Sequence, residues 1–414
     1  MANNILLISY YYPPINHIAS NRMFSFSKYM DQYNIWVITV ASQNTIQNLN
    51  HVKVYRCQDS KKLTPTFYSN EGKFIHIMKV AYNIFISNAV VDLHKEWTHN
   101  AIELCKNLLI KTQFDLMISS SGPLASHLVA LDIKKRHPEI KWIADMRDEL
   151  LTSKYLPHRQ RIHNPRVKVL EKRIINKADA ITAVSNPILM QIKDYSNNPN
   201  TVFREIRNGY DFEFKIDYKP PKRDFINIVY AGGLSGGRDP YVFLKACEEL
   251  VEKHNLPIKV KFIGPNKEIN IPAGIIEHVE VIDSVPHVQA IQAMNEADVL
   301  LLIIALNGRT GGYSGKLFEY MASLRPIIAL VPPHDVAAEL IRESKTGYVL
   351  NNPNDIKEIK EVLLMIYEKW KVNNLHNKFY PDLDIIAKHH RKEQAKLVHQ
   401  LISYLTNSEG GSAK

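Results

Sequence analysis

Asp298-Val299-Leu300-Leu301-Leu302-Ile303-Ile304 leads, a few residues on, into Gly311-Gly312-Tyr313-Ser314-Gly315-Lys316-Leu317-Phe318-Glu319-Tyr320-Met321-Ala322, and then into Pro326-Ile327-Ile328-Ala329-Leu330-Val331. Two short apolar runs with a glycine-rich turn and a helical stretch between them read as one strand-helix-strand unit of a parallel sheet buried on both faces. A glycine turn that opens a helix after such a strand presents backbone N–H groups at the positive end of the helix dipole, where anions bind. Lys316 adds a cation in the first turn, where the dipole alone favours an acid; an anion such as a phosphate neutralises both. Glu319, one turn on, reaches the same side of the helix and can accept hydrogen bonds from sugar hydroxyls. The P-loop pattern GxxxxGK[ST] fails here, because Thr310 stands where Gly is needed and Leu317 where a hydroxyl is needed. A dinucleotide GxGxxG is absent as well. From this stretch alone the competing reading is a packing turn with Lys316 solvated.

The same grammar runs through the rest of the chain. Strands are expected at Asn4–Tyr10, Tyr33–Val40, Phe114–Ser119, Lys141–Ala144 and Ala180–Val184, with a helix near Ser20–Met30 and helical patterns bordering the others. Lys215–Asp224 is polar, charged and proline-bearing, as a linker is. The alternation then restarts with strands at Phe225–Ala231, Ile258–Gly264, Val279–Ile282, Asp298–Ile304 and Pro326–Val331. Asp384–Leu405 reads as one amphipathic helix with Ile386, Leu397, Val398, Leu401 and Leu405 on a stripe. The triplet Asp382-Leu383-Asp384 spells DxD but opens a helix, so N-terminal capping accounts for it better than metal binding. The fold class is therefore α/β, with two doubly wound parallel-sheet domains whose loops would face a central cleft.

Composition narrows the function. The chain has 414 residues, enough for two domains, and 45% of them are hydrophobic. Three scattered cysteines argue against disulfides and zinc sites and for a reducing, cytoplasmic setting. Ile75–Val91 carries His76, Lys79 and Asn83 and is too short to span a membrane, so a buried helix is the better reading of it than one lying on a membrane. The net charge of +10 favours anionic partners. Its densest basic run, Lys154 to Lys177, lacks the interleaved aromatics of a base-stacking surface; nucleic acid is set aside, and a solvated helix face or a docking patch for an anionic membrane surface remain.

Chemistry is expected at strand ends. Tyr230-Ala231-Gly232-Gly233-Leu234-Ser235-Gly236-Gly237-Arg238 is a second strand, glycine turn and cation, so Gly232 and Gly233 with Arg238 and Lys316 could converge on one diphosphate and neutralise it without a metal. Val285, before Pro286-His287, lies in a loop whose backbone could read a nucleotide base. In the first half, Asp145-Met146-Arg147-Asp148 ends a strand: Asp145 or Asp148 could orient or deprotonate a hydroxyl, with Arg147 holding them ionised, and a helix-capping ion pair is the structural alternative. Ser119-Ser120-Ser121-Gly122-Pro123 ends another strand, and His127 follows on a helix, where a structural role is favoured.

Taken together and in this order, these segments resemble a glycosyltransferase of family 4 with the GT-B fold, over nearly the whole chain. Tyr12-Pro13-Pro14 followed by Arg22 resembles the first-strand loop, and Asp145-x-Arg147-Asp148 a variant of the acceptor-side site. Ala178 to Ser185 and Ile206 to Asp211 are similar to the interdomain segments, Val285 to Val299 to the base-binding region, and Gly315 to Ala322 to the second half of the E-x7-E element. The resemblance implies a retaining, metal-independent hexosyltransferase that needs no cofactor. It would take a sugar from a nucleotide-sugar donor, UDP-linked by expectation, to a glycan or polyprenyl-linked acceptor in cell-surface polysaccharide biosynthesis, in the cytoplasm or on the inner face of the plasma membrane. By carry-over Arg238 and Lys316 stabilise the leaving diphosphate and Glu319 binds the ribose. Gly312, Tyr313 and Ser314, with Gly315 and Leu317 beside them, meet the donor, while Arg147 and Asp148 face the sugar and acceptor. Residues 1–216 form the first domain, 217–379 the donor domain, and 380–406 a helix crossing back to the first, before a disordered tail. The chain departs from the pattern in three places. Gly311 replaces the first Glu of E-x7-E, Asn16 and His17 replace the paired glycines of the first loop, and Gly233 stands where an arginine is usual. These departures motivate two alternatives, a non-catalytic nucleotide-sugar-binding scaffold and, after it, a sugar-nucleotide epimerase.

Overall fold

The computed structural model describes residues 4–407 apart from 16, 61–90, 158–160, 214–218, 235 and 306–307. The chain divides into two compact units, Met1–Arg207 with Arg391–Lys414, and Asn208–His390. The helix reading of Ile75–Val91 and the expected boundary at 216/217 fall outside the described residues, as does part of the linker.

Unit 1 is an eight-stranded sheet, in chain order β1 (Asn4–Ile8), β2 (Asn34–Ala41), β3 (Thr45–Leu49), β4 (Val52–Gln58), β5 (Leu116–Ser120), β6 (Lys141–Arg147), β7 (Ala180–Ala183) and β8 (Val202–Glu205), arranged β3-β4-β2-β1-β5-β6-β7-β8. All neighbours are parallel except β3, which pairs antiparallel with β4. Its helices are α1 (Ile18–Tyr29), α2 (Lys95–Lys111), α3 (Ala125–Arg136), α4 (Pro165–Lys177) and α5 (Asn186–Lys193). Strand β1 shows why both faces are covered. Leu6 and Ile8 join the core with Trp36, Trp97, Met117 and Trp142, while Ile5 and Leu7 join the opposite core with Met23, Val37 and Ile118. Alternate side chains point to opposite faces, so a strand apolar at every position demands two helical layers.

Unit 2 holds β9 (Ile226–Ala231), β10 (Ile258–Ile263), β11 (Val279–Ile282), β12 (Val299–Ile303), β13 (Ile327–Leu330) and β14 (Gly347–Val349), arranged β11-β10-β9-β12-β13-β14 and parallel throughout. Its helices are α6 (Tyr241–His254), α7 (His287–Asn295), α8 (Gly315–Ala322), α9 (Val336–Glu343), α10 (Ile356–Lys371), α11 (Asn374–Asn377) and α12 (Leu383–Ala387). In each sheet the strand order reverses once, between β1 and β5 and between β9 and β12. Such a reversal parts the loops at the carboxyl ends of the two strands and leaves a crevice between them.

Two expectations need correction. Asp384–Leu405 is two helices, α12 and α13 (Arg391–Asn407), not one. Ile386 packs into unit 2, Val398, Leu401 and Leu405 pack into unit 1 beside α1, and Leu397 is 36% exposed. The stripe therefore serves two different cores. The two units meet at Arg207/Asn208 and at His390/Arg391, and Tyr210 donates its amide to the His389 carbonyl at 3.2 Å and is buried in the unit 2 core. Strands β3, β4, β8 and β14 were not anticipated. As expected, Asp382 caps α12 by accepting from the Ile385 amide at 3.0 Å.

Candidate functional site

In unit 2 the crevice between β9 and β12 is built around Lys316. It lies in the first turn of α8, whose remaining face is apolar: Leu317, Phe318, Tyr320 and Met321 are buried. That burial orients the helix so that Lys316 leans back toward the end of β9. Its Nζ donates to the Tyr230 hydroxyl at 2.6 Å and to the Gly233 carbonyl at 3.0 Å, and sits 4.0 Å from the centre of the Tyr230 ring. The Tyr230 hydroxyl donates to the same carbonyl at 2.9 Å. Gly232 has φ 106, and a Cβ there would fall 2.6 Å from Lys316 Cε. Only glycine permits both the left-handed backbone and the close approach. Burial, with the charge of Arg238 adding to it, brings the Lys316 ammonium down from 10.5 to about 7, against the opposing pull of Glu319. Lys316 and Arg238 are thus near enough to repel, and an anion placed between them relieves the cost.

The Gly232→Ala variant should therefore displace Lys316 and strain its own backbone, weakening nucleotide binding about tenfold or more. Isothermal titration calorimetry reads this directly. Binding unchanged from the parent would show that the lysine and the glycine turn do not act together.

Other residues hold the turns in place. Asn266, itself at φ 53, accepts from the Leu234 amide at 2.8 Å and fills the space a side chain at Gly233 would need. The Tyr320 hydroxyl takes the Ala231 amide at 2.8 Å. Asp335 accepts the Gly311 amide at 2.7 Å and the Val336 amide at 2.8 Å, pinning the glycine turn before α8 to the start of α9. A side chain at Gly312 would meet open space. Tyr313 lies against Phe318, and Ser314 caps α8 with its backbone alone. Gly315 begins that helix, where the first amides have no acceptor within the helix. Glu319 Oε1 lies at hydrogen-bond distance, 2.9 Å, from His287 Nε2, and Val285 is half-buried one loop away, packed on the same core. The side chain of Leu317 is fully buried and packs the helix, and its amide donates to the Ser314 carbonyl at 3.0 Å.

In unit 1 the strand-end cluster separates into a buried part and an open part. Asp145 is 1% exposed and saturated: Arg22 Nη2 and Nε reach its two oxygens at 2.8 and 3.0 Å, Thr182 Oγ1 donates at 2.7 Å and Ser120 Oγ at 2.9 Å. Burial by itself would raise this carboxyl, but the Arg22 charge and hydrogen bonds outweigh it and hold Asp145 below the usual range. A carboxylate with every lone pair engaged does not act as a base. Arg22, expected beside the first loop's ligand, instead lies at 4% exposure inside unit 1 and also donates to the Ile206 and Arg207 carbonyls at 2.9 Å each. Asp145 and Arg22 are thus a buried structural pair; Arg22 is the partner in contact, and the charge of Arg147 lowers the same carboxyl to a smaller extent.

Asp148 forms the open part, with Arg147, itself only 8% exposed, reaching out to it from beneath. The β6–β7 register shifts between Asp145 and Arg147, and Arg147 has φ 57, a left-handed conformation rare for a non-glycine residue. This bulge re-aims Arg147 toward the end of β5. Its Nη1 reaches the Ser121 carbonyl at 3.3 Å and its Nη2 meets Asp148 Oδ2 at 3.0 Å, while Asp148 stays 56% exposed. A Cβ on Gly122 (φ 81) would already touch the guanidinium at 3.4 Å. Backbone strain of this kind persists where surrounding structure enforces it and is common at binding sites. His17 caps α1 by accepting the Ala19 amide at 3.1 Å, stacks on Tyr11, and has its basicity lowered by burial and by Arg147, against Asp148. Asn16 lies outside the described residues. His127 is a core histidine: Ser119 Oγ lies 2.7 Å from Nδ1, and burial brings it to about 4.

The partners that sequence reasoning missed are Tyr230, Asn266, His287, Asp335 and the Arg22–Asp145 bond. Only Tyr230 left a usable signal, as an aromatic at the last turn of a strand that ends in paired glycines.

Residues 226–369 match the family described as Glycosyl transferases group 1. No curated protein sequence matches the chain significantly. Among solved structures, sucrose-phosphate synthase from Thermosynechococcus elongatus is similar at TM-score 0.67 and 14% identity, over 99% of this chain and 100% of that one. An alpha,alpha-trehalose-phosphate synthase (UDP-forming) from Burkholderia vietnamiensis gives 0.66 and 9%, over 97% and 100%. The lipopolysaccharide outer core galactosyltransferase WaaB gives 0.58 and 15%, over 97% and 99%. Two parallel-sheet domains with such neighbours along the whole chain establish the GT-B fold, and the family match supports sugar transfer as the reaction class.

Proposed function

We propose that this protein is a retaining glycosyltransferase that moves a sugar from a UDP-sugar to a glycan or lipid-linked acceptor of the cell surface, without an essential metal. The observation that carries this reading is the Lys316 clamp: a half-buried ammonium, depressed in basicity, held over a two-glycine turn with Arg238 beside it. Transfer from a nucleotide-sugar breaks the bond to a diphosphate, and fixed cations stabilise the charge that develops on it. Glu319, positioned by His287, takes the ribose hydroxyls, and the turn from Gly312 to Gly315 meets the donor sugar. Arg147 and Asp148 serve the acceptor side. A screen of nucleotide-sugars for nucleotide release, with and without lipid-linked acceptors, tests the reading. Release that depends on an acceptor supports it. Isomerisation of a nucleotide-sugar supplied alone would replace it with an epimerase, and failure of every nucleotide to bind would leave a scaffold.

The clamp sets a pH dependence. Below about pH 7 Lys316 is already protonated when the nucleotide arrives; above it, a proton must be taken up on binding. Affinity for a nucleoside diphosphate should thus fall as pH rises from 7 to 9, by up to about tenfold per unit. Calorimetry in buffers of different ionisation enthalpy should record uptake of up to about one proton at pH 8–9. A pH-independent affinity with no proton uptake would remove Lys316 from the diphosphate site.

We also propose that unit 1 rests on an anionic membrane surface through α4. Arg166, Lys168, Lys172 and Arg173 are exposed along it beside Val169, which is 56% exposed. No helix among the described residues is long and apolar enough to cross a membrane. Reversing Arg166 and Lys172 to glutamate should lower partition onto phosphatidylserine vesicles, each lost cation removing about 1 kcal/mol. Unchanged co-sedimentation would make α4 a merely solvated face.

A further inference from the structure

Unit 1 contains a cavity of about 310 Å³ that the reaction outlined above leaves unused. Its lining is largely aliphatic, from Leu93, Leu124, Leu150, Leu151, Ile162 and Val167, and also includes Ser121, Gly122 and Asp148. The space therefore opens beside the same strained strand end that places Arg147. Leu93 and Leu151 are 37% and 41% exposed, so large apolar side chains line it while still partly in water. Among the described residues Asp92, Asp148, Glu149 and Glu171 line it with no lysine or arginine, and Asp148 is paired with Arg147 at 3.0 Å. Glu171 is spent on the Leu151 and Thr152 amides and the Thr152 hydroxyl, and Asp92 on the His94 amide and the Thr98 hydroxyl. His94, the one base in the lining, is held by Asp59 at 2.9 Å.

A wall of this composition favours an apolar guest, and a phosphate or diphosphate would lose its hydration there against aliphatic side chains, so it is the wrong occupant. A cavity of ~150 Å³ holds a benzene molecule, and one twice that size suits roughly a phenyl ring with a substituent or a chain of six to eight carbons. We propose that this cavity takes the uncharged apolar aglycone of the acceptor, an alkyl or aryl group, leaving the hydroxyl-bearing ring at Asp148. This deepens the acceptor-side reading of Asp148 and rests on it. It also separates the two acceptor classes: a glycoside with a neutral apolar aglycone fits, whereas the phosphates of a polyprenyl diphosphate do not enter.

The test is a chain-length series on the whole protein. Binding of methyl, butyl and hexyl β-D-glucoside is measured by calorimetry or saturation-transfer NMR below their micelle concentrations, with hexanoate as the anionic control. Each added methylene should tighten binding about fourfold until the cavity is full, and hexanoate should not bind. Leu151→Glu, at a partly exposed position, should flatten the series while melting temperature and nucleotide binding stay as in the parent. A flat series in the parent, or a rising one that Leu151→Glu leaves intact, overturns the assignment. A rising series in a protein that turns over no nucleotide-sugar keeps the apolar site and removes its acceptor role. Acceptor-dependent turnover with a flat series keeps the transferase and removes the cavity.

Discussion

Replacing Lys316 with alanine should cut sugar transfer by about 10²–10³-fold, the range found when one preorganised donor to a developing charge is removed. Nucleotide affinity should fall with it, because the clamp contacts ground state and transition state alike. The fold should survive. Burial depresses the Lys316 ammonium from 10.5 to about 7, so between those values the unfolded chain holds the proton more tightly than the folded one, and the lysine opposes folding at neutral pH. Removing it relieves that opposition, and the expected melting temperature is equal to the parent's or higher. Lys316→Arg should not rescue, since a planar fork cannot occupy the narrow space over Gly232 where a compact ammonium fits. Steady-state release of nucleotide, thermal melting and titration with a nucleoside diphosphate read the three quantities separately. Full activity in Lys316→Ala would sink the diphosphate assignment.

The second large effect is on stability. Arg22→Met leaves the Asp145 carboxylate buried with only the hydroxyls of Thr182 and Ser120, and it also strips the Ile206 and Arg207 carbonyls of their donor. Breaking a buried pair by removing one partner typically costs about 3–5 kcal/mol. For a unit of this size that lowers melting by roughly 10 °C. Unit 2 should bind nucleotide as before. The pH response is the companion measurement: the pair contributes above the ordinary carboxylate range and is lost as pH falls through the lowered value of Asp145. A variant that melts with the parent would show that Asp145 does not depend on Arg22.

These two residues mark what could be read in the sequence. The setting of Lys316 was legible because strand, glycine turn, cation and apolar helix face follow one another in the chain. Its second partner, Tyr230, is 86 positions away and gave no more than a hint. The surroundings of Asp145 were read only in part for the same reason. A carboxylate beside an arginine at a strand end reads as a site, but its true partner is 123 positions earlier on α1. The central strands were found because both faces of each sheet are covered and the runs are uniformly apolar. Strand β3, exposed at all five positions, carries no hydrophobic pattern and is held by hydrogen bonds to β4. The final amphipathic stripe was found, but periodicity could not show that Ile386 and Val398 belong to different cores.

That division has a consequence for how the protein is made. One face of the β1–β5 region is closed by Ala395, Val398, Leu401, Ile402 and Leu405 of α13, against Met23 and Phe26 of α1. Those residues leave the ribosome after every strand of unit 2. Unit 2, second in the chain, is therefore the first whose core can be completed, while the earlier half waits with an apolar face unsealed. A nascent chain halted after α12 should already bind nucleotide and still be open to protease along α1.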